Sequence, residues 1–451
     1  MAAVFDKEDT DLAQKRPRVL GMAMLAFAAL TLIFRQLSET FGHLVIQHYL
    51  VLVVFAFVGM AAVKCTSIRA DYWMGIAYAA WYVAANLIRG DLYMKQAFLP
   101  FCIICLFSLM AFPFAFVMDD GKRKAGLKIF SAIFFICITA FAALALLGAL
   151  RGEMFRHWLY EKAYFGIGGE QRLEATNHAN ISAALFLCAL MTGCWLMNEY
   201  QKRWMILPWL LMSLCLYFAL ALAVSRTAML QLSFFIAAAA AFLVLRRPWK
   251  KAWIKWIAFA LTGMIILIVV FSSFELAVDL FNTLRGHMPS AAAEEVAYRP
   301  LYSWEVKSFT GRTRIYTTVI DLITSSSRSM LAGFAADNWA NLIQNIEGFR
   351  YAHAHNAFLQ TAVIMGIPGA LMALWFAIRT AWVSFKVLFL HGNRTSYGDK
   401  LLCLMLLTLL VSTITEVYLF TDVQPWCSFL YFLVLGYVLE SSRGLNKKAL
   451  K

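Results

Sequence analysis

Apolar runs of about 20 residues recur along this chain, and that recurrence constrains its fold more than any single motif. A hydrocarbon core roughly 30 Å thick is crossed by about 20 residues of α-helix, and a helix satisfies its own backbone groups where no water can. Twelve spans are expected, near residues 19–34, 44–63, 72–88, 97–117, 127–149, 179–197, 204–224, 227–245, 252–273, 357–385, 401–419 and 425–441. With 62% hydrophobic and only 15% charged residues, the composition lies far from that of soluble domains. The expected class is an all-α polytopic membrane protein.

The net charge of +14 invites a nucleic-acid reading, but the placement of the basic residues argues for topology instead. With a cytoplasmic N-terminus, alternate loops carry Lys15, Arg16 and Arg18; Lys64 and Arg69; Lys122, Arg123, Lys124 and Lys128; Lys202 and Arg203; Arg246, Arg247, Lys250 and Lys251; Lys386, Arg394 and Lys400; and Arg443, Lys447 and Lys448. The short loops on the other side hold only Arg35, Arg89, Lys95 and Arg226. This is the positive-inside asymmetry, so both termini are expected in the cytoplasm and no nucleic-acid partner is expected. The charged first 18 residues lead into a span without a small-residue cleavage site, so the first span is expected to stay. All nine cysteines fall in or beside spans, and Cys102 and Cys105, although spaced as CxxC, read as packing residues within a span.

The expected division is a cytoplasmic tail 1–18, a membrane bundle 19–273, a large external loop 274–356, a second membrane section 357–441 and a cytoplasmic tail 442–451. A shorter external stretch covers 150–178. In the large loop, Ile315, Val319, Leu322 and Ile323 recur at helical spacing, as do Trp339, Leu342, Ile343 and Ile346, which predicts two or three amphipathic helices that lie at the membrane surface or cap the bundle.

Ionisable groups beside membrane helices are costly and mark functional candidates. Arg226 stands with Ser225 in a turn between the seventh and eighth spans that faces outward. One arginine there has a plain alternative reading, snorkelling to lipid phosphate. Arg312 and Arg314 follow Gly311 at what reads as the start of an external helix, where free amides and the dipole would favour an anion. Arginine's planar fork suits a phosphate. His355 and Asn356 open the tenth span on the same face, with Gly366 and Gly369 spaced for close helix approach and Pro368 placed to kink it. Asn177, His178 and Asn180, Arg89 and Asp91, and Glu416 near the outer end of the eleventh span complete the set.

Each is weak alone, but independent segments bring polar groups to one membrane level. Arginines for a diphosphate, a histidine for proton transfer and a lipid-embedded bundle suggest an enzyme acting on a lipid-linked diphosphate. The arginines would neutralise the leaving diphosphate as the sugar bond breaks. No His, Cys, Asp and Glu cluster has metal-ligand spacing, and no P-loop, GxGxxG or GxSxG is present. Metal-independent chemistry without a cofactor is expected.

These residues resemble the O-antigen ligase (WaaL) family, within a wider group of ligases and polymerases that are membrane glycosyltransferases. The motif of that family is His, then Asn, Ser or Gln, nine residues, Gly, two residues and a small residue. It is matched by His355, Asn356, residues 357–365, Gly366, Ile367, Pro368 and Gly369. Its SR turn is matched by Ser225 and Arg226 and its GR motif by Gly311 and Arg312. The resemblance implies about twelve transmembrane helices with a helical periplasmic loop domain, a GT-C-like layout. It implies that His355 is the catalytic base and that Arg226 and Arg312 bind the diphosphate of an undecaprenyl-linked glycan. It also implies transfer with inversion to a sugar hydroxyl of lipid A-core, at the periplasmic face of the inner membrane of a Gram-negative bacterium. Arg314, Asn356, Asn180, Arg89 and Glu416 are further candidates, and whether Arg312 or Arg314 meets phosphate is open. Polymerases and protein O-glycosyltransferases of the same group share the pattern. A transporter of an anionic substrate would also want arginines by a cavity, but it would expect paired halves and broken helices at the midplane.

Overall fold

The computed structural model describes residues 70–90, 95–112, 114, 120–151, 155–156, 164–167, 171–175, 179–200, 202–246, 251–286, 296, 307–334, 353–391, 394–421 and 425–449. The first two expected spans, the N-terminal tail, the 337–346 segment, Asp91, Asn177 and His178 lie outside them. The described helices are α1 (Ala70–Arg89), α2 (Lys95–Cys105, continued by a π-helical turn Leu106–Ala111), α3 (Asp120–Arg151), α4 (Ala179–Glu199), α5 (Arg203–Leu222) and α6 (Arg226–Leu245). They continue with α7 (Ala252–Gly286), α8 (Lys307–Thr324), α9 (Ser327–Ala332), α10 (Ala357–Phe385, continued by a π-helical turn Lys386–Leu390), α11 (Tyr397–Ser412) and α12 (Pro425–Ala449). Among the described residues, six stretches are long and apolar enough to cross a membrane: those of α3, α4, α5, α6 and α7, and α10 with its π-helical continuation.

The core is aromatic. Phe432 of α12 stacks on Phe107 at 4.8 Å between ring centres and meets Phe376 of α10 edge-on at 4.8 Å, the offset and T-shaped geometries that aromatic quadrupoles favour. Residues from Trp426 to Leu435 of α12 are buried, and the π-helical turn of α2 with α3, α4, α10 and α11 packs around this helix. On α7, Leu261, Ile265, Ile268 and Leu276 remain exposed. Outward apolar faces of this kind belong against lipid.

The sequence reading placed several boundaries differently. Helix α7 runs to Gly286, 13 residues past the expected end of its span at 273, because the run Ser272–Gly286 keeps helix formers and lacks a proline. The expected span 401–419 stops at Ser412, since Val411, Thr413, Ile414, Thr415 and Val417 are β-branched and stiff at χ1. The chain then continues without regular structure through Thr421, with Thr413, Glu416, Val417, Tyr418, Leu419 and Phe420 buried. Irregular backbone is tolerated there because protein surrounds it: the Ala357 N–H donates to Thr413 O at 2.8 Å, and Tyr78 donates to Phe420 O at 2.6 Å. The stretch 150–178, expected outside the membrane, contains three short antiparallel strands, β1 (Phe155–Arg156), β2 (Tyr164–Ile167) and β3 (Leu173–Glu174), with Phe155 opposite Phe165 and Gly166 opposite Glu174. Helical periodicity carried no sign of this sheet.

Helix α10 is broken rather than only kinked. Gly366 adopts φ 74°, ψ 179°, a region open essentially to glycine. Pro368 has no N–H to offer the carbonyl of Ile364 four residues earlier. Three successive carbonyls at the break find other donors: Val363 O takes the Phe334 N–H at 2.6 Å, Ile364 O takes Arg89 Nη1 at 2.6 Å and Met365 O takes Trp81 Nε1 at 2.7 Å. A side chain at Gly366 would collide with Leu331 O, and one at Gly333 with Val363 O. Gly366 and Gly333 therefore seat the end of α9 in the break of α10, a specific joint in place of the general close approach expected from the spacing of Gly366 and Gly369.

Candidate active site

Helix α8 docks on α10 through the periodicity read from the sequence: Ile315, Val319 and Ile323 are buried with Ala354, Ala362 and Val363, and Leu322 packs beside them. That docking fixes which arginine faces inward. Arg312 lies three residues before Ile315, near its face, and its Nη2 is 3.5 Å from Glu416 Oε1. Arg314, two residues on and about 200° around the helix, is exposed. The expectation that Arg312 begins a helix is corrected: α8 starts at Lys307, so Arg312 sits in the second turn and the free amides of the first turn do not surround it.

The other oxygen of the same carboxylate, Glu416 Oε2, is 3.8 Å from His355 Nδ1, with the side chains of Glu416 and His355 4% and 13% exposed. Glu416 thus bridges Arg312 and His355. It lies in the buried irregular segment after α11, not in a span as the sequence suggested. The ending of α11 at Ser412 turns its carboxylate into the site.

His355 is held from several directions. Its φ of 49° lies in the left-handed region, uncommon for residues other than glycine although histidine is among the enriched types. Tyr316, one turn after Arg312, donates its hydroxyl to His355 O and to Ile414 O, both at 3.1 Å. The Ala354 N–H donates to the buried Gln360 Oε1 at 2.8 Å. The His353 ring lies 4.1 Å from that of His355, and its Nδ1 is 3.4 Å from the His355 N–H. Asn356 is the N-cap of α10, accepting the N–H groups of Phe358 and Leu359 at 3.0 Å, while its Nδ2 donates to Ile414 O at 3.2 Å. Burial raises the Tyr316 phenol above its ordinary value; Arg312 opposes the rise and Glu416 adds to it. Tyr316 therefore stays a donor at neutral pH.

Arg226 is the first residue of α6, after the extended N-cap Ser225 and the strained Val224 at φ 47°. It is partly exposed and forms no hydrogen bond or ion pair with any described residue. Arg312, Glu416, His355 and Asn356 are brought together, whereas no direct contact joins Arg226 to them. Asn180 belongs to a separate cluster: its Oδ1 accepts from Arg172 Nη2 at 2.6 Å, and its carbonyl accepts from Tyr418 at 3.3 Å.

Arg89 is not a free anion ligand. It is buried, and it donates to the carbonyls of Ala332 and Ile364 and to Asn86 Oδ1. Arg328 reaches back to the carbonyls of Ile88 and Arg89. The pair locks α1 to α9 at the break of α10. Tyr316 and Arg172 were missed in the sequence; the helical spacing from Arg312 to Tyr316 was a usable signal, while a lone arginine in an external stretch was not. Among the described residues no three His, Cys, Asp or Glu side chains gather as a metal would need.

The arrangement defines a class, a multi-pass, largely helical membrane protein with a carboxylate, histidine and arginine cluster at one end of its bundle. Residues 210–374 match the family model described as O-antigen ligase. The matched stretch contains Arg226, Arg312, His355 and the Gly366 break, and it stops short of Glu416. This match supports membership of the O-antigen ligase family. Among curated proteins nothing matches the chain.

Proposed function

We propose that the protein is an O-antigen ligase, transferring O-polysaccharide from undecaprenyl diphosphate to a sugar hydroxyl of lipid A-core. The reaction takes place at the periplasmic face of the inner membrane and needs no metal. The observation that carries this reading is the bridge from Arg312 through Glu416 to His355. With Nδ1 facing Glu416 at 3.8 Å, Nε2 of His355 is the nitrogen assigned to take the acceptor proton. Glu416 holds the ring and stabilises the imidazolium that forms. The acceptor oxygen bonds to the anomeric carbon from the face opposite the diphosphate. The bond from that carbon to the phosphate oxygen breaks, and the diphosphate leaves with the electron pair. Arg226, without a partner among the described residues, and the outward part of Arg312 neutralise the charge that develops. Distances of 3.5 and 3.8 Å suit a resting site that tightens with substrate.

Deletion of the protein in its own cells tests the acceptor. The expected result is lipid A-core with no polymer while lipid-linked polymer accumulates. Core capped by single repeat units would instead identify a polymerase.

A further inference from the structure

We propose that Arg172 is a positioning residue for the donor half of the site, which it ties to the base half. The inference rests on the reading of Arg226 as a donor ligand. Arg172 precedes β3 in the small sheet and is buried. Its Nε donates to Ala223 O at 2.8 Å and its Nη2 to Val224 O at 3.3 Å. These carbonyls belong to the two residues between the end of α5 and Ser225, so a fixed charge caps a helix C-terminus whose carbonyls have no intrahelical donor. Val224 has a positive φ, a conformation that valine holds only where its surroundings enforce it. The guanidinium on its carbonyl is such an enforcement, and the next two residues are Ser225 and Arg226.

The same guanidinium extends the other way. Nη2 also donates to Asn180 Oδ1 at 2.6 Å, and the Asn180 carbonyl accepts the hydroxyl of Tyr418, two residues past Glu416. A continuous path therefore runs from the Arg226 turn through Arg172 and Asn180 to the segment that presents Glu416 to His355. Arg172 is engaged with backbone and Asn180, while Arg226 has no hydrogen-bond partner among the described residues. The buried arginine sets the geometry and the partly exposed one meets the ligand. Only a planar fork serves two carbonyls and an amide oxygen at once.

The test is a steady-state double-mutant cycle on purified protein in detergent, with a lipid-diphosphate glycan as donor and lipid A-core as acceptor. Arg172→Gln should raise the donor KM about tenfold, the scale of losing a charge-assisted hydrogen bond, with a much smaller change in kcat. In an Arg226→Ala background the Arg172 substitution should add no further rise, because its effect passes through Arg226. Arg172→Lys, which keeps the charge and loses the fork, should behave like Arg172→Gln. If Arg172→Gln is too unstable to purify, the lysine variant carries the same cycle. A lysine variant with wild-type donor KM, or KM effects of the two sites that multiply, would overturn the inference. An Arg226→Ala variant with unchanged donor KM would remove the donor-binding reading beneath it.

Discussion

The two ends of the bundle use charge in opposite ways. Away from the site, Asp71 accepts both Arg379, at 2.8 and 3.2 Å, and Arg443, at 2.7 Å, and Glu199 meets Lys124 and Lys128 at 2.9 Å. These contacts join α1 to α10 and α12, and α3 to α4, at full hydrogen-bond closeness. At the site end the Glu416 contacts are 3.5 and 3.8 Å, and Arg226 has no described partner. The described non-glycine residues with positive φ, Gln171, Val224, His355 and Phe420, also all lie at this end. Closed ion pairs fasten helices. Loosely held charges on strained backbone are available to a substrate, and the strain persists because surrounding hydrogen bonds over-determine it.

If that contrast is right, substitutions at the two ends should separate activity from stability. His355→Ala should have the largest effect, a loss of transfer of about 10²–10⁴-fold with lipid donor still bound, seen as core without polymer on gels of extracted lipopolysaccharide. Glu416→Gln keeps the shape and removes the charge, and should lower kcat about 10- to 100-fold with little change in donor KM. Its wild-type kcat would break the link between Glu416 and His355. Asp71→Asn should do the reverse, costing about 1–3 kcal/mol of stability, reduced because its arginine partners are about one-third exposed. It should lower the thermal midpoint in detergent and leave kcat within about twofold of wild type.

Tyr316→Phe removes one donor to two carbonyls and should reduce kcat a few-fold. The raised phenol pKa gives this interaction a sign: it is fully present below the ordinary value near 10 and is lost only as pH rises through the higher folded value. Tyr316 should therefore add no ionisation to the activity profile between about pH 5 and 9, and an alkaline limb there that vanishes in the phenylalanine variant would contradict its role. A strong chelator should have the smallest effect, none, and loss of activity restored by a divalent ion would replace arginine with metal as the neutralising charge.

Much of the fold was legible because lipid forces length and apolarity on its helices. The candidate site was legible in part, because His355 and Arg312, which the fold brings to Glu416, stand in short motifs. The rest depended on contacts distant in sequence. The β-branched residues after Val411 mark where α11 stops, but nothing in that run says that Glu416 would turn toward His355, 61 residues earlier. Gly366 and Pro368 announced a bend, yet the donors that make the break stable come from Trp81, Arg89 and Phe334. Arg89 looked like an anion ligand because two of its partners are backbone carbonyls distant in sequence, which any sequence supplies.

The central claim is that this end of the bundle joins a lipid-diphosphate glycan to lipid A-core. The direct measurement is the product formed by purified protein given both substrates. Glycan linked to the core, with one undecaprenyl diphosphate released per linkage, is the expected result. A lengthened lipid-linked glycan with the core untouched, or no new glycosidic bond, would contradict it.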